Sequence, residues 1–281
     1  MRITFWGVRG SIAATGGATV QVGGNTTCVE VQCGDVRLIF DAGTGIRVLG
    51  RHLMKELPLR AHVLFTHTHW DHIQGLPFFG PAFVPGGVLD LYGAARPGPT
   101  LREVLATQMT QPFFPVTLDA FGAELRFHEV EPRRPIHIGD ATVTAAALNH
   151  PDGVVAYRVD WRGASVVFAT DTEHYSVVDP RLTRLARGVD VLIHDAQYTA
   201  EEYAGASGMP RLGWGHSTVE AAVAQAKASG VGRLVLFHHD PDRDDAGVAD
   251  LEARARAGFP ATDAAREGMV IELGEASRAA A

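Results

Sequence analysis

The sequence predicts an α/β fold. Short runs rich in Val, Ile and Leu recur between Gly, Asp and Pro, the pattern of buried strands bounded by turns. Runs with helical apolar spacing are interleaved with them. Five of the apolar runs end in a His or an Asp: His67, His150, Asp171, Asp195 and His238. Polar residues at strand ends gather where loops converge at one rim of a sheet, and that rim is where a site is expected.

The elements follow in order. "TTCVEVQCG" and "VRLIFDAGTG" read as two strands joined at Gly34 and Asp35, a hairpin signal. "IRVLGRHLMKEL" has helical spacing and is closed by Pro58. "AHVLFTH" is a buried strand leading into a His-rich stretch, after which "HIQGLPFF" is expected to be helical. "VLDLYG" reads as a strand and "PTLREVLATQM" as a helix. "ATVTAAALNH" is a strand, and "VVAYRVDWRGASVVFATDT" is a hairpin turning at Arg162 and Gly163. "DVLIHDAQY" and "GRLVLFHH" are two more buried strands. Between them "STVEAAVAQAKASG" is the clearest helix: Ser217 and Glu220 have capping-box spacing, and Gly230 stands where a C-terminal glycine belongs. The reading gives one domain over 1–274 and a frayed tail over 275–281.

Composition narrows the function. With 281 residues, 46 % hydrophobic and 20 % charged, the chain can bury a large core. Its formal net charge of −7 argues against bulk phosphate neutralisation, so nucleic acid is not expected as a partner. Cys28 and Cys33 are too few for a disulfide framework. No signal-peptide pattern and no apolar run of about 18–20 residues is seen, so a cytoplasmic protein without membrane contact is expected. A homodimer is left open.

The stretch "FTHTHWDHIQG" holds His67, His69, Asp71 and His72 within six residues. Imidazole and carboxylate are ligands for borderline cations such as zinc. His67 and His69 are two apart and point the same way in an extended loop; Asp71 and His72 can face a second position as the chain turns. Such a stretch can feed two metals, with His150, Asp171 and His238 as strand-end candidates to complete them.

"HTHWDH" resembles the H-x-H-x-D-H signature of the metallo-β-lactamase superfamily. Asp41 in "LIFDAGTG", then His150, Asp171 and His238, match its further motifs in order, over about residues 1–270. The resemblance implies an αββα sandwich of two mixed sheets flanked by helices, with two divalent ions at one rim, zinc first and manganese as the alternative. By position it implies His67, His69 and His150 for one ion, Asp71, His72 and His238 for the other, Asp171 bridging, and Asp41 fixing the ligand loop. His239 competes with His238, which is preferred because it directly follows "LVLF".

Two metals serve acyl and phosphoryl transfer alike. "GWGHSTVEAAVAQAKASGVGRLVLFHHDP" and "VLIHDAQY" resemble segments of the tRNA 3′-processing endonucleases, the tRNase Z group, with Asp195 in place of a Glu. The resemblance implies that His216 serves the scissile phosphate or leaving oxygen and that Asp195 positions it; Asp71 is expected to assist the attacking water. Ser217 is read equally well as a helix cap. "FWGVRGS" and "GGNTTCVEV" resemble a branch of phosphodiesterase-like metallo-hydrolases. Arg9 and Asn25 are the candidates for reaching a phosphate from there; the alternative is a tight turn with Arg9 in solvent. Thr107–Phe121 is read as a flap that stacks on a base or as core packing. In the bacterial tRNase Z form that this chain resembles, a tRNA-gripping arm lies between the positions of His150 and Asp171, which here are 21 apart and filled by a hairpin. The expectation is therefore a binuclear hydrolase of small cyclic or linear phosphodiesters. A tRNase Z-like ribonuclease and an acyl hydrolase (lactonase, thioesterase or β-lactamase) are its rivals, and a binding module without turnover is a weaker one.

Overall fold

The computed structural model describes residues 1–95, 97–206 and 208–274. The expected tail over 275–281 lies outside the described residues. Two seven-stranded sheets stack face to face. The first contains β1 (Arg2–Gly7), β2 (Cys28–Cys33), β3 (Val36–Phe40), β4 (Arg60–Leu64), β5 (Val88–Ala94), β6 (Glu124–Val130) and β14 (Val270–Glu272), in the order β14-β1-β2-β3-β4-β5-β6. The second contains β7 (Ile136–Ile138), β8 (Ala141–Leu148), β9 (Val154–Trp161), β10 (Ala164–Ala169), β11 (Val191–Asp195), β12 (Arg233–Phe237) and β13 (Thr262–Ala264), in the order β13-β12-β11-β10-β9-β8-β7. Both are mixed. β3 to β6 run parallel, as do β10 to β13, and the remaining neighbours are antiparallel.

Helices cover the outer faces: α1 (Gly45–Leu53), α2 (Trp70–Ile73), α3 (Leu101–Gln108), α4 (Pro180–Leu185), α5 (Ala200–Tyr203), α6 (Val219–Ser229) and α7 (Asp245–Gly258). Three apolar layers result, one between the sheets and one beneath the helices on each side. This is the αββα sandwich. Among the described residues no helix is long and apolar enough to cross a membrane.

The inner layer sets the floor of the rim. Phe40 of β3 meets Tyr157 of β9 and Phe168 of β10, with ring centroids 5.7 and 5.4 Å apart, and Phe168 meets Phe237 of β12 at 5.3 Å. Aromatic pairs in this range add about 0.5–1.5 kcal/mol each beyond burial. The Tyr157 hydroxyl donates to the Phe65 carbonyl at 2.7 Å, tying the second sheet to the strand that feeds the His-rich loop. Asp41 follows Phe40 and His238 follows Phe237, so the packing that fixes these rings also fixes the residues above them.

Several sequence readings are corrected. "RITFWG" forms strand β1, which the element-by-element reading left out. "HIQGLPFF" is one short turn of α-helix, Trp70–Ile73, followed by 3₁₀ turns. The cap of α6 is Thr218, whose side chain accepts from the Ala221 N–H; Ser217 instead donates to the Thr172 carbonyl at 2.5 Å, and no capping box with Glu220 forms. Gly230 does close α6, in the left-handed region at φ 62°.

Candidate metal centre

His67, His69, Asp71 and His72 leave the carboxyl end of β4, His150 follows β8, Asp171 follows β10, Asp195 ends β11, and His238 follows β12. The ends of parallel strands face one rim, so residues far apart in sequence meet. They form two groups whose ligand atoms lie within 4.8 Å of one another: His67, His69 and His150, and Asp71, His72, Asp171 and His238.

Within the first group His69 Nδ1 lies 3.0 Å from His150 Nε2. In the second, His72 Nε2 is 3.2 Å from Asp71 Oδ2 and 3.3 Å from Asp171 Oδ2, and His238 Nε2 is 3.1 Å from both Asp71 Oδ2 and Asp171 Oδ1. Asp171 Oδ2 also stands 3.8 Å from His67 Nε2, so one carboxylate touches both groups. Ligand atoms bound at about 2.0–2.1 Å to one zinc in a tetrahedron would be roughly 3.3 Å apart. The observed separations have that size. His67 Nε2 and His72 Nε2 are buried without a hydrogen-bond partner, and both point into the cluster. Buried orphan nitrogens are rare and costly in proteins, and here a cation would satisfy both. The donor set therefore fits a binuclear divalent metal site.

The surrounding groups choose which nitrogen faces inward. Asp41 Oδ2 lies 2.8 Å from His72 Nδ1 and accepts from the Thr66 hydroxyl, while Oδ1 accepts from the Thr66 N–H. The Gln197 side-chain oxygen is 2.9 Å from His238 Nδ1, and the Gly215 carbonyl is 2.8 Å from His150 Nδ1. Each contact takes up Nδ1 and leaves Nε2 for the cluster. The Ser11 N–H donates to Asp71 Oδ2 at 2.8 Å. Glu173 accepts from Tyr203 and from the Gly213 and Gly215 N–H groups, bracing the loop that holds His150. His239 is turned away and donates from Nε2 to the Ala265 carbonyl at 2.9 Å. Asp41, Asp171 and His238 all take left-handed backbone conformations, φ 60°, 52° and 60°. Such strain in non-glycine residues concentrates at functional sites.

Electrostatics agree. Burial pushes His67 well down, as it does His69 and His150 more moderately. Burial works against the ionised forms of Asp71 and Asp171, yet neighbouring His72 and His238 hold both carboxyls well below the usual range. His72 moves up despite its burial, because Asp171, Asp71 and Asp41 surround it. Three buried carboxylates demand positive charge at this spot, which a metal ion supplies.

His216 sits where the groups meet. Its ring centroid is 5.4 Å from that of His150 and 4.9 Å from that of His238. Nδ1 lies 2.9 Å from Asp195 Oδ2. Burial lowers its pKa, but Asp195, Asp171 and Asp71 together outweigh burial and the group rises to about 9. Asp171, Asp195, His216 and His238 also lie close enough to hold an ion. Asp195 is already engaged, however: Oδ1 accepts from the Gln197 and Ser217 N–H groups, and Oδ2 faces His216. Its geometry is that of a carboxylate positioning an imidazole.

Two expected contacts fall elsewhere. Arg9 is fully buried and not in solvent; its guanidinium donates to the carbonyls of Gly23, Asp240 and Arg243 at 2.8, 3.1 and 2.6 Å. It clamps three loops together. Asn25 is held by Glu267, which accepts from both its backbone N–H and its side-chain amide. The supports Gln197, Glu173, Thr66 and Ser11 were not anticipated from sequence.

A rim carrying two metal-ligand clusters on an αββα sandwich defines a metal-dependent hydrolase. The family model "Beta-lactamase superfamily domain" matches residues 36–239, and the chain belongs to that superfamily. The chain is 29 % identical over 294 residues to a protein named ribonuclease Z from Synechococcus sp. (strain WH7803), covering 84 % of this chain and 86 % of that one. Among solved structures it is similar to the metallo-beta-lactamase fold protein YhfI of Bacillus subtilis (22 % identity, TM-score 0.72, covering 97 % and 98 % of the two chains). It is also similar to a diphosphatase of the PhnP family (20 % identity, TM-score 0.68, covering 97 % and 98 %). The expectation that set nucleic acid aside as a partner is weakened by the ribonuclease relatives.

Proposed function

We propose that this chain hydrolyses phosphodiesters, and small ones in preference to structured RNA. The observation that carries the reading is the His216–Asp195 pair, seated beside the two ligand groups with His216 Nδ1 2.9 Å from Asp195 Oδ2. His67, His69 and His150 would hold one ion, Asp71, His72 and His238 the other, and Asp171 both. Zinc suits this donor set best. Two such ions lower the pKa of water and clamp anionic oxygens. Asp41, Gln197 and the Gly215 carbonyl hold the imidazoles in the tautomer that faces the ions. Asp71, anchored by the Ser11 N–H, is placed beside the reacting centre to take a proton from water. His216, oriented by Asp195, is placed to give a hydrogen bond or proton to a phosphoryl or leaving oxygen.

Preference for small diesters rests on the link between His150 and Asp171. It consists of β9, a turn at Arg162 and Gly163, and β10, all paired within the second sheet. No arm projects there to grip a large RNA. The relatives named ribonuclease Z keep RNA cleavage as the second reading. The deciding assay compares kcat/KM for 2′,3′-cyclic AMP, 3′,5′-cyclic AMP and bis(p-nitrophenyl) phosphate with that for precursor tRNA, a lactone and a cephalosporin, using zinc- or manganese-loaded protein. Higher kcat/KM on a small diester is expected. Site-specific tRNA cleavage without small-diester turnover, or hydrolysis of the acyl substrates alone, would overturn the proposal.

A further inference from the structure

The metal loop borders a groove that the chemistry above does not use. Its volume is about 590 Å³, and it is lined by Trp70, Phe78, Phe113, Gln74 and Gln108 among others. Trp70 stands in sequence between His69 and Asp71, yet it is 78 % exposed; Phe113 is 76 % and Phe78 56 % exposed. Single exposed aromatics are ordinary, but three around one groove are not. None of the described residues lining it is charged. The groove shares Thr68 and Pro99 with the cleft over His67 and His69, so the two spaces adjoin. The segment Thr107–Phe121 thus has two fates. Met109 and Leu118 are buried in the outer core, while Phe113 faces outward and Phe114 braces Phe78 edge-on at 5.6 Å.

We infer that this groove is the subsite for an uncharged, planar aromatic part of the substrate, a nucleobase attached to the phosphodiester held at the metal cluster. The inference rests on the phosphodiesterase reading and names its substrate class. An uncharged lining rejects a second phosphate, and exposed rings offer faces for stacking, which is worth about 5- to 150-fold in affinity per base. Gln74 and Gln108 each donate one amide N–H, to the Thr26 hydroxyl and to the Ile73 carbonyl, at 3.2 Å each. Their side-chain amides offer an acceptor oxygen and a second N–H for the polar edge of a base. A plain alkyl chain would use neither the ring faces nor these acceptors.

Binding, not turnover, tests this. Affinities of zinc-loaded protein for adenosine 5′-monophosphate, ribose 5-phosphate and octyl phosphate are measured by calorimetry, for wild type and for Phe113→Ala, Phe78→Ala and Phe113→Tyr. Phe113 is exposed on a loop, so its truncation leaves the fold intact. Adenosine 5′-monophosphate should bind at least about fivefold more tightly than ribose 5-phosphate. Phe113→Ala should erase most of that advantage without changing ribose 5-phosphate affinity, and Phe113→Tyr should keep it. Equal affinities in wild type, an advantage that survives both alanine variants, or tighter binding of octyl phosphate than of the nucleotide would overturn the inference. Base selectivity without diester turnover would remove the phosphodiesterase reading alone; turnover without base selectivity would remove the subsite alone.

Discussion

Gly10 lies against the imidazole of His238, and replacing it with alanine gives a sharp test of the metal centre. A Cβ on Gly10 would fall 2.9 Å from His238 Nε2 and closer still to Cε1 and Nδ1, where ordinary contacts begin at 3.4 Å. Gly10 is not in the left-handed region, so alanine adds no backbone strain and acts through this contact alone. The Cε1 contact at 2.3 Å must open to at least 3.0 Å, so the ring would have to retreat by about 0.7 Å or more, while metal–ligand distances tolerate only about 0.2 Å. His238 cannot retreat freely, because Gln197 holds Nδ1 and the residue is fully buried. The overlap should cost about 1–3 kcal/mol of stability, as overpacking does. It should also weaken metal binding at the Asp71, His72 and His238 group by about 10–100-fold, as loss of a supporting contact does. Competition with a fluorescent zinc chelator reads the affinity, and elemental analysis the stoichiometry. Wild type should carry about two ions, and Gly10→Ala about one after mild chelation. Two ions held with unchanged affinity would refute His238 as a ligand.

Other outcomes follow from the same geometry. His216→Ala should keep both ions and lose about 10²–10⁴ in kcat on a diester, the range for an acid–base group; loss of an ion instead would make His216 a ligand. Asp171→Ala should lower occupancy of both sites, because its carboxylate touches both groups, and a variant that loses only one ion would remove the bridging role. Gln197→Ala should weaken zinc by about 10–100-fold without any change in ligand number, checked by the same chelator competition. Arg9→Ala should lower stability by about 2–4 kcal/mol in urea unfolding, since three part-buried carbonyls lose their donor; a raised KM with unchanged stability would instead make Arg9 a substrate contact.

The ligand candidates were legible because they obey two simple periodicities. H-x-H-x-D-H is local, and the later His and Asp residues each stop an apolar run, so a strand-by-strand reading finds them without knowing the sheet order. What lies behind them was not legible. Gln197 reaches His238 across 41 residues, and Ser11 reaches Asp71 across 60 through its backbone N–H, which every residue but proline offers. Glu173 braces three donors from a loop with no recognisable spacing. Arg9 looked like a phosphate contact because a cation in a Gly-rich loop commonly is one. Only the fold shows three carbonyls already converging on it. α7 escaped notice because "DAGVADLEARARAG" mixes Ala, Gly and charge with a weak apolar stripe, and helices of that kind are defined more by docking than by pattern. The cap of α6 slipped by one residue because Ser217 and Thr218 are adjacent hydroxyls, and sequence alone cannot tell which one turns toward the helix.

The clusters draw on both halves of the sandwich. His67, His69, Asp71 and His72 hang from the first sheet, and His150, Asp171 and His238 from the second. Neither sheet by itself carries a complete set for either ion. Tight capture of a cation must therefore wait until the sheets have docked, which makes metal a ligand of the finished fold and not a nucleus for it. Free zinc at a thousand times its dissociation constant would then add about 4 kcal/mol to stability. The gain should appear in kinetics as slower unfolding, with the refolding rate indifferent to zinc. A refolding rate that rises with zinc would mean that the rim assembles before the layers beneath it.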